Sequence, residues 1–474
     1  MYLQHASMQR AIPLCRGDLI SCHLERKSRR QSVFPVAYHR GAPCVVGSRS
    51  KRWRWSRGTL ARVRLVLAVA LVLLPGGDVH PQQQTSSDDE PRAKAALAAV
   101  RGSETQTIAD QVRLCEVPAP PFGERARAMV FRDMLIAAGL RGARIDREGN
   151  VVAERPGRMP RPTVVFAAHL DTVFPDGTPV KVRRDGVMLR GPGIGDNCRG
   201  LAVLAAVARA LNSAAVETEG AIIFAGTVGE EGLGDLRGVK ALLRETLKGR
   251  ADRFVAVDGT GGSITNIGVG SRRHRFTFRG SGGHSYTNFG RANPASALGR
   301  AVARIAELRV PASPKTTFNV GRIGGGTSVN AIPEEAWMEV DMRSTDEAAL
   351  DALERSVQKI VAESVQAEND RWKKNGLITV SAEQVGDRPA GRTDQRSPIV
   401  QTALGVSKSL GLRATLQDSS TDANVAMQMG IPAIAIGAGG TGSGAHSLTE
   451  SFNSTNSVRG TARVLQLALA LSRR

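Results

Sequence analysis

The segment VVFAAHLDTVF, Val164 to Phe174, indicates how this 474-residue chain folds. It begins as an unbroken apolar run rich in β-branched residues, which is typical of a strand covered by helices on both faces. In open sheets of such strands, ligands bind beyond the carboxyl ends. His169 and Asp171 follow the apolar run directly and are therefore candidates for a functional site. A loop histidine hydrogen-bonded to its neighbour is the alternative interpretation of this pair.

Strand-like and helix-like runs alternate around this segment. NVVAER, AIIFAGTVGEE and RFVAVDG have the pattern of buried strands, and LAVLAAVARALNSA has that of a helix. Such alternation predicts a mostly parallel, doubly wound α/β sheet. Over residues 271–386 the pattern changes to half-exposed strands and amphipathic helices. The sequence therefore predicts an α+β domain inserted into an α/β domain, whose two parts are residues 95–270 and 387–474.

The first 77 residues form a basic leader that carries +12 of the chain's net charge of +20. In it the basic segment Lys51–Arg64 precedes the apolar run Leu65–Leu74, and a polar segment follows. This order is typical of a secretory signal peptide, with a short buried helix as the alternative. We therefore expect an exported protein, periplasmic or secreted, which contacts the membrane only if the leader remains uncleaved. Residues 78–94 are predicted to be a polar linker.

Charge and composition argue against a nucleic-acid partner. Outside the leader the net charge is only +8, and aromatic residues make up 4% of the chain, too few for a base-stacking surface. Cys115 and Cys198 are the only cysteines beyond the leader. The sequence therefore predicts neither a disulfide framework nor a cysteine-based metal site.

Potential metal ligands follow the predicted buried strands. They are His169, Glu230, Glu231, Asp258 and, beyond the last strand, His446, with Asp196 opening the predicted helix. Histidines and carboxylates without thiolates favour zinc, cobalt or manganese, and Asp196 could bridge two ions. The four carboxylates would balance the charge of two divalent cations. Solvated surface acids are the alternative interpretation.

Two further roles follow from chemistry and spacing. Glu230 and Glu231 are adjacent, so one can bind metal while the other acts as general base toward water. Asp171 lies two residues from His169, where it can orient the imidazole.

Eight motifs occur in a single order: AHLDT, GIGDN, GEEG, VDGT, GGHS, GGTSVNAIP, VDMRS and GAHS. In this order they closely resemble the dinuclear zinc exopeptidases and amidohydrolases related to peptidase T, carboxypeptidase G and the aminoacylases. The resemblance covers about residues 95–474. Asn197 and Cys198 stand where the family often has Asp or Asn followed by Lys, a departure that leaves the ligands intact.

The resemblance implies a site of two zinc ions. It assigns His169, Asp196 and Asp258 to one metal, Asp196, Glu231 and His446 to the other, and Glu230 to the general base. It also implies that the inserted domain is a lid through which the chain forms a homodimer.

Three residues of the inserted domain match substrate-binding positions of the family. His284 would reach a substrate carbonyl, commonly in the partner subunit, and Asn330 would bind the region of the scissile carbonyl. Arg343 would bind a substrate carboxylate. Taken from the residues alone, the alternative interpretations are a solvated loop histidine for His284, which is the commoner case, a turn cap for Asn330 and a surface ion-pair partner for Arg343.

The expected activity is metal-dependent hydrolysis of a terminal amide bond in short peptides, as in peptidase T. An N-acyl amino acid deacylase needs the same metal centre and is the alternative. An exported binding protein that has lost catalysis is less favoured, because all the ligands and the base are present.

Overall fold

The structure is a computed structural model that describes residues 89–474. The basic leader and signal-peptide-like segment predicted for residues 1–77 lie outside the described residues. Within residues 89–474, every helix is too short or too polar to serve as a transmembrane span.

Helices and short strands alternate along the described part of the chain. The helices are α1 Asp89–Gly102, α2 Glu104–Cys115, α3 Arg125–Ala137, α4 Cys198–Ser213, α5 Arg237–Ala241, α6 Pro294–Ala306, α7 Glu347–Arg371, α8 Pro398–Ser409, α9 Ala423–Gln428 and α10 Val458–Leu471. The strands are β1 Arg144–Ile145, β2 Val151–Arg155, β3 Val164–His169, β4 Arg183–Asp185, β5 Met188–Arg190, β6 Ile222–Thr227, β7 Arg253–Val257, β8 Ile264–Gly268, β9 Gly270–Arg279, β10 Gly283–His284, β11 Thr316–Gly325, β12 Ala331–Ile332, β13 Glu335–Ser344, β14 Thr379–Arg388, β15 Gly391–Arg392, β16 Leu416–Ser419, β17 Ala433–Ile436, β18 Thr441–Ser443 and β19 Ser451–Asn453.

The central sheet has the strand order β1-β2-β6-β3-β7-β17-β8-β15, with β16 also paired to β8. The strands β6, β3, β7 and β17 run parallel to their neighbours in this row. Antiparallel pairs, β2 with β6 and β17 with β8, flank them. The centre of the sheet is therefore parallel, which confirms the predicted fold class.

Strand β3 is covered on both faces, as its apolar run predicts. All six of its residues are buried. Val164 and Phe166 pack in a core with α2, α3, α4 and α10, whereas Val165 and Ala167 pack in a second core with α5 and α9. Alternate side chains of one strand thus enter two cores, so the sheet is wound on both sides.

A second, antiparallel sheet with the order β11-β13-β9-β14 occupies residues 270–388. The side chains of β13 alternate between buried and half-buried along the whole strand. Phe276, Met338 and Val340 pack with apolar residues of α6 and α7 in a separate core. This is the α+β arrangement expected of the inserted region.

Helix α1 begins at Asp89, inside the segment predicted as a polar linker. Pro91 lies in its first turn, where a missing backbone N–H costs nothing, and Glu90 is favourable near the positive end of the helix dipole. Glu90 also pairs with Lys94, 2.7 Å away, one turn later. The linker prediction was wrong for these residues, because polar composition masked a helix start.

Candidate metal centre and cleft

The carboxyl ends of the parallel strands bring the predicted ligands together. His169 is the last residue of β3, Asp258 follows β7 directly, and Glu231 lies in the loop after β6. Since these strands are neighbours in the sheet, their ends meet at one edge. Two groups result, in each of which ligand atoms lie within 4.8 Å of one another: His169, Asp196 and Asp258, and Asp196, Glu231 and His446.

In the first group, His169 is buried and fixed from both sides. Its Nδ1 lies 3.0 Å from the backbone oxygen of Asp171, which favours a proton on Nδ1. Its Nε2 lies 2.9 Å from Oδ1 of Asp196 and 3.6 Å from Oδ1 of Asp258. The nitrogen able to bind a metal therefore faces the two carboxylates.

Asp171 orients the imidazole of His169 mainly through its backbone carbonyl, whereas its carboxylate binds the loop that carries Glu230 and Glu231. Oδ1 of Asp171 is 3.7 Å from the imidazole. The carboxylate accepts the backbone N–H groups of Glu230, at 3.0 Å, and of Glu231, at 2.7 Å. Asp171 thus fixes both the histidine and the loop that carries the paired glutamates.

Asp196 is positioned by the glycine-rich loop before α4. The carboxylate of Glu450 accepts the backbone N–H groups of Gly193, Gly195 and Asp196, at 2.8, 2.8 and 3.0 Å. Asn197 caps α4 through Gly200 N–H and donates to the carbonyl of Val257, the last residue of β7. These bonds hold Asp196 beside the end of β7, close to Asp258.

The second group lies at the open side of the cleft. Nε2 of His446 is 2.9 Å from Oε1 of Glu231 and 3.3 Å from Oδ2 of Asp196. The His446 side chain is 54% exposed, whereas Glu231 is buried. His446 has a φ of 64°, a left-handed conformation that is uncommon for a side-chain-bearing residue and typical of functional sites.

Glu230 is buried against Arg388, the last residue of β14. Nη1 of Arg388 lies 3.2 Å from Oε1 of Glu230, and Nη2 donates to the backbone oxygen of Glu230. Burial raises the pKa of Glu230 well above its usual range, and the positive charge of Arg388 opposes this rise. A carboxyl with a raised pKa can accept and return a proton near neutral pH.

The chemistry of the donor set fits two divalent cations. Each group offers one imidazole and two carboxylates, and Asp196 belongs to both. The carboxylates of Asp196 and Glu231 accept hydrogen bonds from the imidazole of His446 and raise its pKa to about 10, so this position strongly favours a positive charge. A further grouping, His169 with Glu230 and Glu231, also lies within 4.8 Å. We prefer the two groups around Asp196 because Arg388 already engages Glu230.

Four of the five ligands, Asp196, Glu231, Asp258 and His446, line one side of a cleft of about 570 Å³, and the buried His169 contacts Asp196. Arg273, Arg343 and Arg388 line it as well, as do small polar residues such as Ser419 and Thr421. Arg343 thus lies in the cleft, and its binding of a substrate carboxylate stays a prediction.

His284 and Asn330 are not among the residues that line this cleft. They lie close together on the lid region, where Ser285 N–H donates to the carbonyl of Asn330 at 3.0 Å, and both side chains are exposed. The predicted contact of His284 with substrate in a partner subunit and the predicted contact of Asn330 with the scissile carbonyl region stay predictions.

Residues 165–470 match the family described as Peptidase family M20/M25/M40. The uncharacterized protein YqjE of Bacillus subtilis (strain 168) is 28% identical over 301 residues, which are 61% of this chain and 76% of that protein. A putative LysW-lysine/LysW-ornithine hydrolase of Pyrococcus abyssi (strain GE5 / Orsay) is 26% identical over 337 residues, which are 69% of this chain and 82% of that protein.

Two solved structures share the fold. A tripeptidase from Staphylococcus aureus subsp. aureus Mu50 superposes with a TM-score of 0.65 at 20% identity, over 78% of this chain and 99% of the tripeptidase. YxeP of Bacillus subtilis, described as a dinuclear metal binding peptidase of the M20 family, gives a TM-score of 0.59 at 17% identity, over 78% of this chain and 98% of YxeP. With the family match, the two ligand groups support a centre for two divalent metal ions. The chain belongs to peptidase family M20/M25/M40 and is a metal-dependent hydrolase.

Proposed function

We propose that the enzyme removes a terminal residue from short peptides by hydrolysing the amide bond, with zinc as its metal. The observation that carries this proposal is the composition of one cleft: two ligand groups that share Asp196, the buried acid Glu230 beside them, and the guanidinium of Arg343. The tripeptidase with the same fold supports a peptide substrate.

His169, Asp196 and Asp258 would hold one ion, and Asp196, Glu231 and His446 the other. When bound, two divalent cations supply Lewis acidity toward an amide carbonyl and lower the pKa of water. Glu230 accepts the proton of the attacking water and returns it to the nitrogen of the leaving amine. Its side chain can do so in a fixed orientation because Arg388 holds one carboxylate oxygen.

Arg343 would make the enzyme specific for chain ends. Its Nε donates to Oδ2 of Asp341 at 2.7 Å, and its two terminal NH₂ groups make no hydrogen bond to any residue between 89 and 474. A planar guanidinium with both NH₂ groups available matches a carboxylate. The substrate would therefore present a free terminal carboxylate near the scissile amide.

An N-acyl amino acid deacylase is the second candidate. The putative LysW-lysine/LysW-ornithine hydrolase favours it, because that relative is named for hydrolysis of a conjugate of lysine or ornithine. The same metal groups, base and arginine would serve this reaction. Export and dimerisation stay predictions from the leader and the family resemblance.

The full chain should be incubated with zinc or cobalt, and separately with a chelator, against di- and tripeptides and N-acyl amino acids, followed by mass spectrometry. We expect peptide loss that the chelator prevents, with the products showing which terminus is trimmed. Selective loss of N-acyl amino acids would establish the deacylase instead. No turnover by protein that holds two metal ions would contradict both proposals.

Arg388→Met should lower kcat/KM at neutral pH by about 10- to 100-fold, as loss of a residue that orients a catalytic group does. Arg388 opposes the burial-driven rise in the pKa of Glu230, so its removal raises that pKa further. The base must be unprotonated, and the acidic limb of the pH profile should therefore move to higher pH. Arg388→Lys keeps the positive charge and should therefore shift the acidic limb of the pH profile less than Arg388→Met does. Superimposable pH profiles of wild type and Arg388→Met would contradict this role.

A further inference from the structure

One carboxylate on the lid sheet holds two arginines at the cleft. Asp341 on β13 is the register partner of Arg273 on β9 and lies two residues before Arg343 on the same strand. Its Oδ2 accepts from Nε of Arg343 at 2.7 Å, and its Oδ1 lies 3.4 Å from Nε of Arg273. Ser271 also donates to Oδ1, at 2.8 Å. Both guanidinium groups are thus held by their Nε atoms.

This mode of attachment leaves three of the four outer NH₂ groups without a hydrogen bond inside residues 89–474. Nη1 of Arg273 donates to the carbonyl of Gly232 at 2.8 Å, in the loop just after the paired glutamates. Its Nη2, like both NH₂ groups of Arg343, makes no hydrogen bond within residues 89–474. The two arginines line the same cleft as the metal-ligand groups. Two guanidinium groups joined through Asp341 therefore offer NH₂ groups in the cleft that also contains the metal-ligand residues.

The charges of the cleft leave this side positive. Four carboxylates line it, Asp196, Glu230, Glu231 and Asp258, and two divalent cations would offset them. Of the three arginines in the lining, Arg388 pairs with Glu230 and also feels the charges of Asp235 and Asp422. Arg273 and Arg343 share the single negative charge of Asp341. Burial, together with the charges of Arg388 and Arg343, lowers the pKa of Arg273, whereas the carboxylate of Asp341 opposes this fall. A ligand with a single carboxylate would leave part of this charge unpaired.

The cleft also continues past Arg343. A neighbouring cavity of about 250 Å³ shares Arg343, Ser419 and Ser420 with it and is lined further by Thr317 and by Lys315, which lies 3.5 Å from Asp418. A side chain of the leaving residue therefore has polar space beside Arg343.

We propose that Arg273 forms, beside Arg343, a second carboxylate-binding position, and that the preferred leaving residue is an acidic amino acid, aspartate or glutamate. Arg343 binds the terminal carboxylate and Arg273 the side-chain carboxylate. The inference rests on the proposed function, since it names the substrate class of that same cleft.

Dipeptides that differ only in charge test the proposal. We expect the full, metal-loaded enzyme to cleave Ala-Glu with a kcat/KM about 10- to 100-fold above that for Ala-Gln, the range typical of one charge-assisted hydrogen-bond pair. Arg273→Met should reduce this ratio to within about threefold of one, while Arg273→Lys should keep part of it. Equal rates for Ala-Glu and Ala-Gln, or an unchanged ratio in Arg273→Met, would overturn the proposal.

Arg275→Met is the matched control. Arg275 lies two residues along β9, pairs with Glu339 at 2.9 Å and contacts the ring of Trp337, so it resembles Arg273 in strand, face and partner type. It does not line the cleft. In Arg275→Met the ratio of kcat/KM for Ala-Glu to kcat/KM for Ala-Gln should be unchanged. An equal fall of this ratio in Arg275→Met and Arg273→Met would overturn the role of Arg273.

Calorimetry with the free amino acids separates this inference from the proposed function. L-glutamate should bind the wild type about tenfold tighter than L-glutamine, and Arg273→Met should abolish the difference. This preference without turnover of any substrate would support the subsite and contradict the proposed hydrolysis. Turnover without any preference for glutamate would support the proposed hydrolysis and contradict the carboxylate-binding position at Arg273.

Discussion

Glu230→Gln is expected to lower kcat by on the order of 10³-fold, within the range of general-base contributions, while both metal ions stay bound. Glutamine has nearly the same shape as glutamate but cannot accept a proton from water. Metal binding should persist because neither of the two ligand groups around Asp196 contains Glu230. Initial rates should be measured together with metal content by plasma mass spectrometry.

Glu383→Gln is a suitable control for this prediction. Glu383 is exposed on β14, away from the cleft lining, so the same chemical change there should leave both rate and metal content unaltered. Wild-type activity in Glu230→Gln would exclude Glu230 as the base. Loss of one metal ion would instead place Glu230 among the ligands, as the third grouping with His169 and Glu231 allows.

The fold and the ligand groups are largely predictable because both follow from buried parallel strands. An apolar run without alternation identifies β3, and ligands at strand ends must converge when the strands are neighbours. His169 and Asp258 illustrate this, since their strands pair directly. Strand β14 of the antiparallel sheet was not predicted, because its sequence TVSAEQVGDR is mostly polar and its side chains are largely exposed.

Residues that act on the site from a distance in sequence were missed. Arg388 meets Glu230 across 158 positions, and Glu450 reaches the glycine-rich loop across more than 250. Neither has a local pattern that distinguishes it from a surface residue. Their roles arise from burial and pairing, which only the tertiary structure defines. Asp171 was predicted to orient His169. That its carboxylate also accepts the backbone N–H groups of Glu230 and Glu231 was missed for the same reason.

The second large effect is expected from Asp196→Asn, which should reduce bound metal from two ions per chain to one or none and lower activity by on the order of 10³-fold or more. Asp196 is the one residue common to the two groups around it, with Oδ1 2.9 Å from His169 and Oδ2 3.3 Å from His446. The asparagine side chain has one oxygen and no charge, so it cannot replace the carboxylate in both the group with His169 and the group with His446. Loss of one negative charge also leaves two divalent cations less well balanced.

Metal content and thermal unfolding distinguish this effect from a general loss of structure. Bound metal stabilises the folded state by mass action, so zinc should raise the Tm of the wild type clearly and that of Asp196→Asn little or not at all. Asp185→Asn, at an exposed position on β4, makes the same chemical change outside the cleft and should respond to zinc like the wild type. Two ions per chain in Asp196→Asn would contradict the bridging role. Equal Tm values without metal would show that the fold itself does not depend on this carboxylate.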